Sequence, residues 1–343
     1  MAPQVAGYGG APWPKLSAPL FVHLTEVGIG AMALSASRVD SKVCALNMAW
    51  GGNKIDVAKS ATRQLESMNT FKNNVLIISG ASTGIGEQLA YRVARQGAHL
   101  VLTARRLEEL NRVAERARGL GAKVVTVAAD IAIANDCKKI IDTAIAAFGR
   151  IDTMVCNAGM TMWAKFADIK DVTMLERIMQ VNYMGTVYCT HYALPHLLAS
   201  RGRIVGVASL TGLIGVPTRT GYAASKHAMR GFFDSLRIEL DDTGVTVTMI
   251  YPGFVATGIR ENATGADGKP ARIDPVNKDD AMSAEECADI MLRAIECRKR
   301  EEIMTLKGKL GQWLKLVAPA VIDKMAKRAV EGNQDYVKRT SPR

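Results

Sequence analysis

The amino-acid sequence predicts an α/β fold: one doubly wound parallel sheet with helices on both faces, flanked by N- and C-terminal extensions. Three observations lead there. From Phe71 the chain alternates short, nearly continuous apolar runs with longer segments of helical periodicity, and such runs suit strands covered on both faces. A glycine-rich turn, Ser79 to Gly86, joins the first run to the first helical segment. Hydrophobic residues make up 48% of the chain and charged residues 22%, enough to build a core and unlike a disordered composition.

The strands are expected at Val75–Ser79, His99–Thr103, Lys123–Ala128, Thr153–Cys156, Arg203–Val207 and Val245–Tyr251. Between them, helical spacing runs over Gly84 to Gln96, Leu107 to Arg118, Ala134 to Phe148, Val172 to Ala199 and Gly221 to Asp241. The fourth of these reads as one long uninterrupted helix. An irregular stretch, Gly253 to Met282, follows Pro252, and a loop of that length in a compact domain is usually functional, often a lid. A helix over Ala284–Cys297 and a short strand over Glu302–Met304 close the series.

Three regions are expected: an extension over residues 1–70, a catalytic domain over 71–305 and a tail over 306–343. Residues 1–70 open on proline and glycine punctuation. His23, Glu26, Pro19, Gly28 and Gly30 interrupt the apolar stretch from Leu16 to Ala36, which argues against a spanning helix. No basic stretch precedes it, so it does not read as a secretory signal. Organelle targeting and a poorly ordered extension both remain open, and the composition favours the second. The expected location is cytoplasmic or peripheral to an intracellular membrane.

Charge and cysteine usage exclude several classes. The net charge is +11, of which residues 298–343 carry +7, with twelve Lys and Arg against five Asp and Glu. A nucleic-acid binder spreads its basic residues over a working face, so no nucleic-acid partner is expected. The six cysteines at 44, 137, 156, 189, 287 and 297 form no CxxC pair, so neither a metal site nor a disulfide framework is expected. In the tail, Leu306, Leu310, Trp313, Leu314 and Val317 share a helix face beside Lys307, Lys309 and Lys315. A basic amphipathic helix of this kind lies on a membrane surface or packs on its own domain or a sister subunit.

The chemistry is carried at the strand ends. Ser79-Gly80-Ala81-Ser82-Thr83-Gly84-Ile85-Gly86 sits between a buried strand and a helix. Glycines let a backbone approach a pyrophosphate, and the helix N-terminus offers unpaired N–H groups and a positive dipole end. Gly80, Ser82, Thr83, Gly84, Ile85 and Gly86 are thus candidate cofactor residues. At the end of the second strand an NAD site places an acidic side chain for the ribose 2′-hydroxyl. Here Ala104 stands there, followed by Arg105 and Arg106. A guanidinium suits a 2′-phosphate by charge and geometry, so NADP(H) is preferred over NAD(H).

Tyr222 and Lys226 lie four residues apart at the start of a helix, on one face. A cation beside a phenol favours the phenolate and makes tyrosine usable as a general acid or base. Ser209 follows the fifth strand at the same edge, where its hydroxyl can polarise a substrate oxygen. Asn157, Ala158 and Gly159 follow the fourth strand, and small residues there let a cofactor lie close.

With these motifs in this order, the sequence over residues 73–305 resembles the short-chain dehydrogenase/reductase family of classical type. The resemblance rests on Gly80-x-x-x-Gly84-x-Gly86, Asn157-Ala158-Gly159, Asn182, Ser209, Tyr222-x-x-x-Lys226 and Pro252-Gly253. Tyr222 to Ala228 and the tail from Gly308 to Pro319 look closest to its dehydrogenase/reductase member-seven-like and eleven-beta-hydroxysteroid-dehydrogenase-like branch. The resemblance implies a Rossmann-type sheet and an oxidoreductase interconverting a carbonyl and a secondary alcohol by hydride transfer. It implies that Tyr222 passes the proton, Lys226 lowers its pKa and holds the nicotinamide ribose, Ser209 orients the substrate oxygen, and Asn182 holds a water in the proton relay. It further implies that Asp130 touches adenine, Asn157 the adenosine ribose, and Val255 and Thr257 the carboxamide. Cys156 departs from the family, which has Asn there, and Ser79 replaces its Thr.

Met160, Met162 and Trp163, with Leu210, Leu213 and Ile214, are expected beside the reacting carbon or in ordinary core packing. In the first case they suit a bulky apolar substrate, a steroid, retinoid, fatty-acyl or xenobiotic carbonyl. A homodimer or homotetramer is expected. The alternative is a catalytically idle NADP-binding redox sensor or scaffold, against which the full set of Ser209, Tyr222, Lys226 and Asn182 argues. A nucleotide-sugar epimerase would need a different glycine spacing and a long C-terminal substrate domain. An acyl-carrier-linked ketoacyl reductase would run the same chemistry on a tethered substrate.

Overall fold

A computed structural model of the chain describes residues 70–259, 263–271 and 281–340. The expected extension over 1–70 lies outside them apart from Thr70, as does part of the expected lid. Seven strands form one sheet in the order β3-β2-β1-β4-β5-β6-β7. They are β1 Val75–Ser79, β2 His99–Ala104, β3 Lys123–Ala128, β4 Thr153–Cys156, β5 Arg203–Val207, β6 Thr246–Tyr251 and β7 Glu301–Ile303. Every neighbouring pair is parallel. This is the single doubly wound, Rossmann-type sheet that the alternating pattern predicted.

Alternation along each strand sorts side chains between two helix layers. Leu76 and Ile78 of β1 join one core with α1 (Gly84–Arg95), α2 (Leu107–Gly119) and α7 (Ala284–Glu296). Ile77 faces the opposite core, with α3 (Ala134–Phe148), α5 (Gly185–Ser200) and α6 (Thr220–Glu239). Leu76, Ile77 and Ile78 are all fully buried. Burying such a side chain contributes about 1.5–3 kcal/mol, which is why β1 tolerates no polar residue before Ser79.

One expected element differs. The segment from Val172 is not one regular helix but α4 (Thr173–Met179), a π-helical turn (Gln180–Met184) and then α5. The added residue in the turn bulges the helix, as such insertions do, and it carries Asn182 into the interior. The short strand β7 begins one residue earlier than expected.

The tail forms α8 (Leu306–Val317) and α9 (Pro319–Thr340). Thr305 caps α8 by accepting the Gly308 N–H at 3.0 Å, and Pro319 opens α9, a position where its missing N–H costs nothing. Lys315 donates to the Leu213 carbonyl at 2.7 Å and fastens α8 to the segment that follows β5. Of its expected apolar stripe, Leu306, Leu310, Trp313 and Val317 are 64–83% exposed and Leu314 is partly buried; Leu316, outside the stripe, is 73% exposed. Among the described residues no helix is long and apolar enough to cross a membrane.

Candidate active site

The strands' carboxyl ends line up along one edge, and the residues singled out in the sequence lie there. The chain leaves β1 through Gly80, whose φ of +65° is open to glycine at little cost. A Cβ on Gly80 would stand 2.7 Å from the Ala158 Cα, so this backbone runs against the turn after β4. Gly86, in the first turn of α1, leaves room for the Asn157 side chain, whose Nδ2 would be 2.6 Å from an added Cβ. Thr83, at the head of α1, makes no side-chain cap. The first amides of the helix are therefore left for an outside acceptor, the condition for holding a phosphate.

Asn157 binds this turn to β4. Its Nδ2 donates to the Ser79 and Gly80 carbonyls at 2.9 and 3.1 Å. The Ser79 hydroxyl donates to the Val155 carbonyl at 3.1 Å. It also accepts the N–H groups of Asn157 and Ala158 at 3.0 and 3.1 Å. On the far side of the turn, Thr257 brings its methyl 2.9 Å from where a Cβ on Gly84 would lie. Val255 is buried in a small cluster with Ala284 and Cys287, packed by Ile85. The Pro252 carbonyl accepts the Leu210 N–H at 3.1 Å, and Gly253 lies against Thr305 and Leu210.

At the end of β2 the Arg105 side chain is exposed. Asp130, after β3, accepts the Ala132 N–H at 3.0 Å and an ion-paired hydrogen bond from Arg177 of α4. Burial by itself would raise its pKa, but the Ala132 N–H and the Arg177 and Arg105 charges hold the carboxyl below its ordinary value. Arg177 carried no signal in the sequence, because it sits among other polar residues on a helix.

Around β5 and α6, Tyr222 is partly buried and Lys226 is 3% exposed. Lys226 Nζ donates to the Val207 carbonyl at 2.8 Å, two residues before Ser209. Ser209 Oγ accepts the Thr211 N–H at 3.3 Å and so shapes the turn Leu210–Gly212. Burial pushes the Tyr222 phenol above its ordinary pKa, opposed by the Arg219 guanidinium and by hydrogen bonding with Ser209. Arg219, one turn before Tyr222, is thus a second cation beside the phenol that the Tyr-x-x-x-Lys spacing does not signal. Lys226 is 5.8 Å from the centre of the Tyr222 ring, the same distance as Arg219.

Asn182 is wholly buried. Its Oδ1 accepts the Met160 N–H at 2.8 Å, and its Nδ2 donates to the Met160 carbonyl and the Ser225 hydroxyl, each at 2.9 Å. The side chain thus ties the segment after β4 to α6. Its main-chain carbonyl accepts Thr186 Oγ1 at 2.9 Å. Gly159 stands beside both Asn182 and Lys226. Cys156 is a packed thiol near Thr190, pushed by burial up to about 12.

Of the six apolar residues expected near substrate, Met162 and Leu213 are core residues. Met160, Trp163, Leu210 and Ile214 remain partly exposed at the edge.

The family model described as short chain dehydrogenase matches residues 74–267. The chain belongs to the short-chain dehydrogenase/reductase family. A Dictyostelium discoideum relative, dehydrogenase/reductase SDR family protein 7-like, is 35% identical over 261 residues, 74% of this chain and 81% of that protein. An Arabidopsis thaliana relative, 11-beta-hydroxysteroid dehydrogenase-like 4A, is 39% identical over 256 residues, 74% of this chain and 84% of that one. Both lie in the branch suggested by the tail and the Tyr222 stretch. Among solved structures, a short-chain dehydrogenase/reductase from Burkholderia phymatum in complex with NAD matches with a TM-score of 0.65 at 24% identity. That match covers 74% of this chain and 96% of the other and speaks for the fold.

Burial draws the Lys226 amine down to about 8 from 10.5, so an unfolded chain binds this proton more tightly than the folded one. Stability from this group is therefore gained as pH rises from about 8 to 10.5, by on the order of 3 kcal/mol. Urea unfolding at a series of pH values, comparing wild type with Lys226→Met, should show the wild type gaining on the variant across that window. A difference that stays flat with pH contradicts the buried, charge-starved lysine.

Proposed function

We propose that this short-chain dehydrogenase/reductase is an NADP(H)-dependent oxidoreductase that interconverts a bulky apolar ketone or aldehyde and its alcohol. The reading rests above all on one arrangement: Tyr222, Lys226 and Ser209 share an edge of the sheet with a glycine turn and an uncapped helix head.

The residues present fit a dinucleotide. Gly80 and Gly86 let the turn pack closely on Ala158 and Asn157, which holds it at the head of α1, and the free amides of α1 would supply the donors for a pyrophosphate. The exposed Arg105 would face a 2′-phosphate, Asp130 the adenine and Asn157 the ribose. Val255 and Thr257 would face the carboxamide, beside Pro252 and Gly253. When bound, NADP(H) supplies or accepts the hydride.

The chain's own residues do the rest. In the reducing direction Tyr222 Oη gives its proton to the substrate oxygen as that oxygen gains charge. Ser209 Oγ donates to the same oxygen and fixes its position. Lys226, buried and held by the Val207 carbonyl, stabilises the phenolate left behind. Asn182 keeps the segment after β4 at the right distance from α6 and offers its carbonyl to a relay water. The apolar class of substrate is supported by Met160, Trp163, Leu210 and Ile214 and by the names of the Arabidopsis relatives, 11-beta-hydroxysteroid dehydrogenases.

The exposed stripe on α8, with Lys307 and Lys309 beside it, supports peripheral attachment to an anionic membrane. Co-sedimentation with vesicles containing anionic lipid should fall for a variant carrying Leu310→Glu and Trp313→Glu; equal partitioning of variant and wild type rejects the attachment.

Two variants in one spectrophotometric assay test the reaction. With a panel of carbonyl substrates, Tyr222→Phe should lose about a thousandfold in turnover while still binding NADPH. Near-wild-type turnover would sink the mechanism. Arg105→Asp should lower the NADPH to NADH preference by about tenfold or more, and an unchanged ratio removes Arg105 from that role.

A further inference from the structure

The turn leading into α6 holds a strained residue and a buried charge side by side. Thr218 has a φ of +68°, a left-handed conformation that a β-branched residue adopts only under constraint. It is 6% exposed, and its carbonyl accepts the Ala164 N–H at 3.1 Å. The next residue, Arg219, is also 6% exposed, and its carbonyl accepts the Ala223 N–H at 2.7 Å in the first turn of α6. The turn therefore sends a full guanidinium inward rather than into solvent.

That guanidinium is held. Its Nη1 donates to Thr161 Oγ1, and its central carbon lies 4.4 Å from the centre of the Trp163 ring. The same carbon is 5.8 Å from the centre of the Tyr222 ring. Burying a charge is costly unless it is paired or stacked, and the aromatic face of Trp163 and the Thr161 hydroxyl offset part of that cost. Arginine also keeps its charge at every working pH. Lys226, the other cation at this distance, is drawn down to about 8 by burial, so its charge fades as pH rises.

Among the described residues, the groups in and around the cluster that Tyr222 packs against come from several elements. From α6 come the two charges, Arg219 and Lys226. From the end of β5 comes Ser209, and from the segment after β4 come Met160, Met162 and Ala164. Met174, Leu175 and Ile178 of α4, with Ile169 before it, are apolar, as is Ala266. None of these but the two cations carries a charge.

We infer that Arg219 is a positioning residue for proton transfer, held by Thr161 and Trp163 so that the Tyr222 phenolate always has a cationic neighbour, independent of Lys226. The inference rests on the proposed role of Tyr222, and it adds a second cation that the Tyr-x-x-x-Lys pattern does not contain.

The test is a tyrosinate absorbance titration of the full chain, with the same titration of Tyr222→Phe subtracted, repeated in Arg219→Gln and Arg219→Lys backgrounds. In Arg219→Gln the Tyr222 titration should move to higher pH, because an opposite charge at about this range favours the ionised phenol. The rising limb of kcat/KM for alcohol oxidation should move with it, lowering kcat/KM about tenfold near neutral pH. Arg219→Lys should restore both. An unmoved titration in Arg219→Gln overturns the inference whatever happens to turnover, since an arginine that only supports the turn would slow the reaction without moving the phenol. If thermal melts show that Arg219→Gln does not fold, Thr161→Val, which releases the guanidinium at nearly constant volume, is read in the same way: an upward shift supports the inference and an unmoved titration overturns it. The titration needs no turnover, so it stands apart from the Tyr222→Phe assay; either result can fail without the other.

Discussion

The hydroxyl of Ser79 fastens the two halves of this sheet where they part. The strand order reverses between β1 and β4, and at such a switch point the connections leave in opposite directions and open a crevice. Ser79 closes the floor of that crevice, bridging to the Val155 carbonyl and to the amides of Asn157 and Ala158. Asn157 returns two bonds to the Ser79 and Gly80 carbonyls. Five hydrogen bonds thus set the spacing between the glycine turn and the turn after β4. The turn after β4 in turn carries Met160 to Asn182, and Asn182 reaches Ser225 on α6, one residue before Lys226. The glycine turn and the Tyr222 cluster are registered to each other through this chain of contacts.

Several groups at this edge are held in arrangements that cost stability. Lys226 is buried with its amine given to a carbonyl, Arg219 is buried beside a strained Thr218, and a π-helical turn interrupts the helix that carries Asn182. Each departs from what an unconstrained sequence would do, and such departures gather where pre-organisation matters. The two hydrophobic cores on either side of the sheet hold these arrangements in place.

Much of this was legible in the sequence because it depends on local pattern. Strands buried on both faces show as unbroken apolar runs, and a close-packed turn shows as glycines between a strand and a helix. Tyr222 and Lys226 show because one helical turn puts them on one face. The π-helical turn was not legible: Gln180 to Met184 keep a helix-compatible pattern, and a one-residue bulge leaves the periodicity on either side intact. Arg219 and Arg177 were not legible because their meaning lies in partners far along the chain, Thr161 and Asp130. The tail's stripe was legible as amphipathic, and the break between α8 and α9 at Ala318 follows from Pro319. That the stripe faces outward came only from the packing of Gly308 against Leu210 and Ile303 on the other side of α8.

If the Ser79 hydroxyl sets the crevice, its removal should harm the cradle more than the sheet. Ser79→Ala leaves the part-buried Ala158 amide short of an acceptor, a cost of about 1–3 kcal/mol in stability, while the Asn157 N–H keeps the Val155 carbonyl. The most direct measurement is a fluorescence titration with NADPH, well below the melting temperature, of wild type and Ser79→Ala with matching circular dichroism. The account predicts a folded variant whose cofactor affinity has fallen about tenfold or more. A folded variant that binds NADPH as tightly as wild type would contradict it.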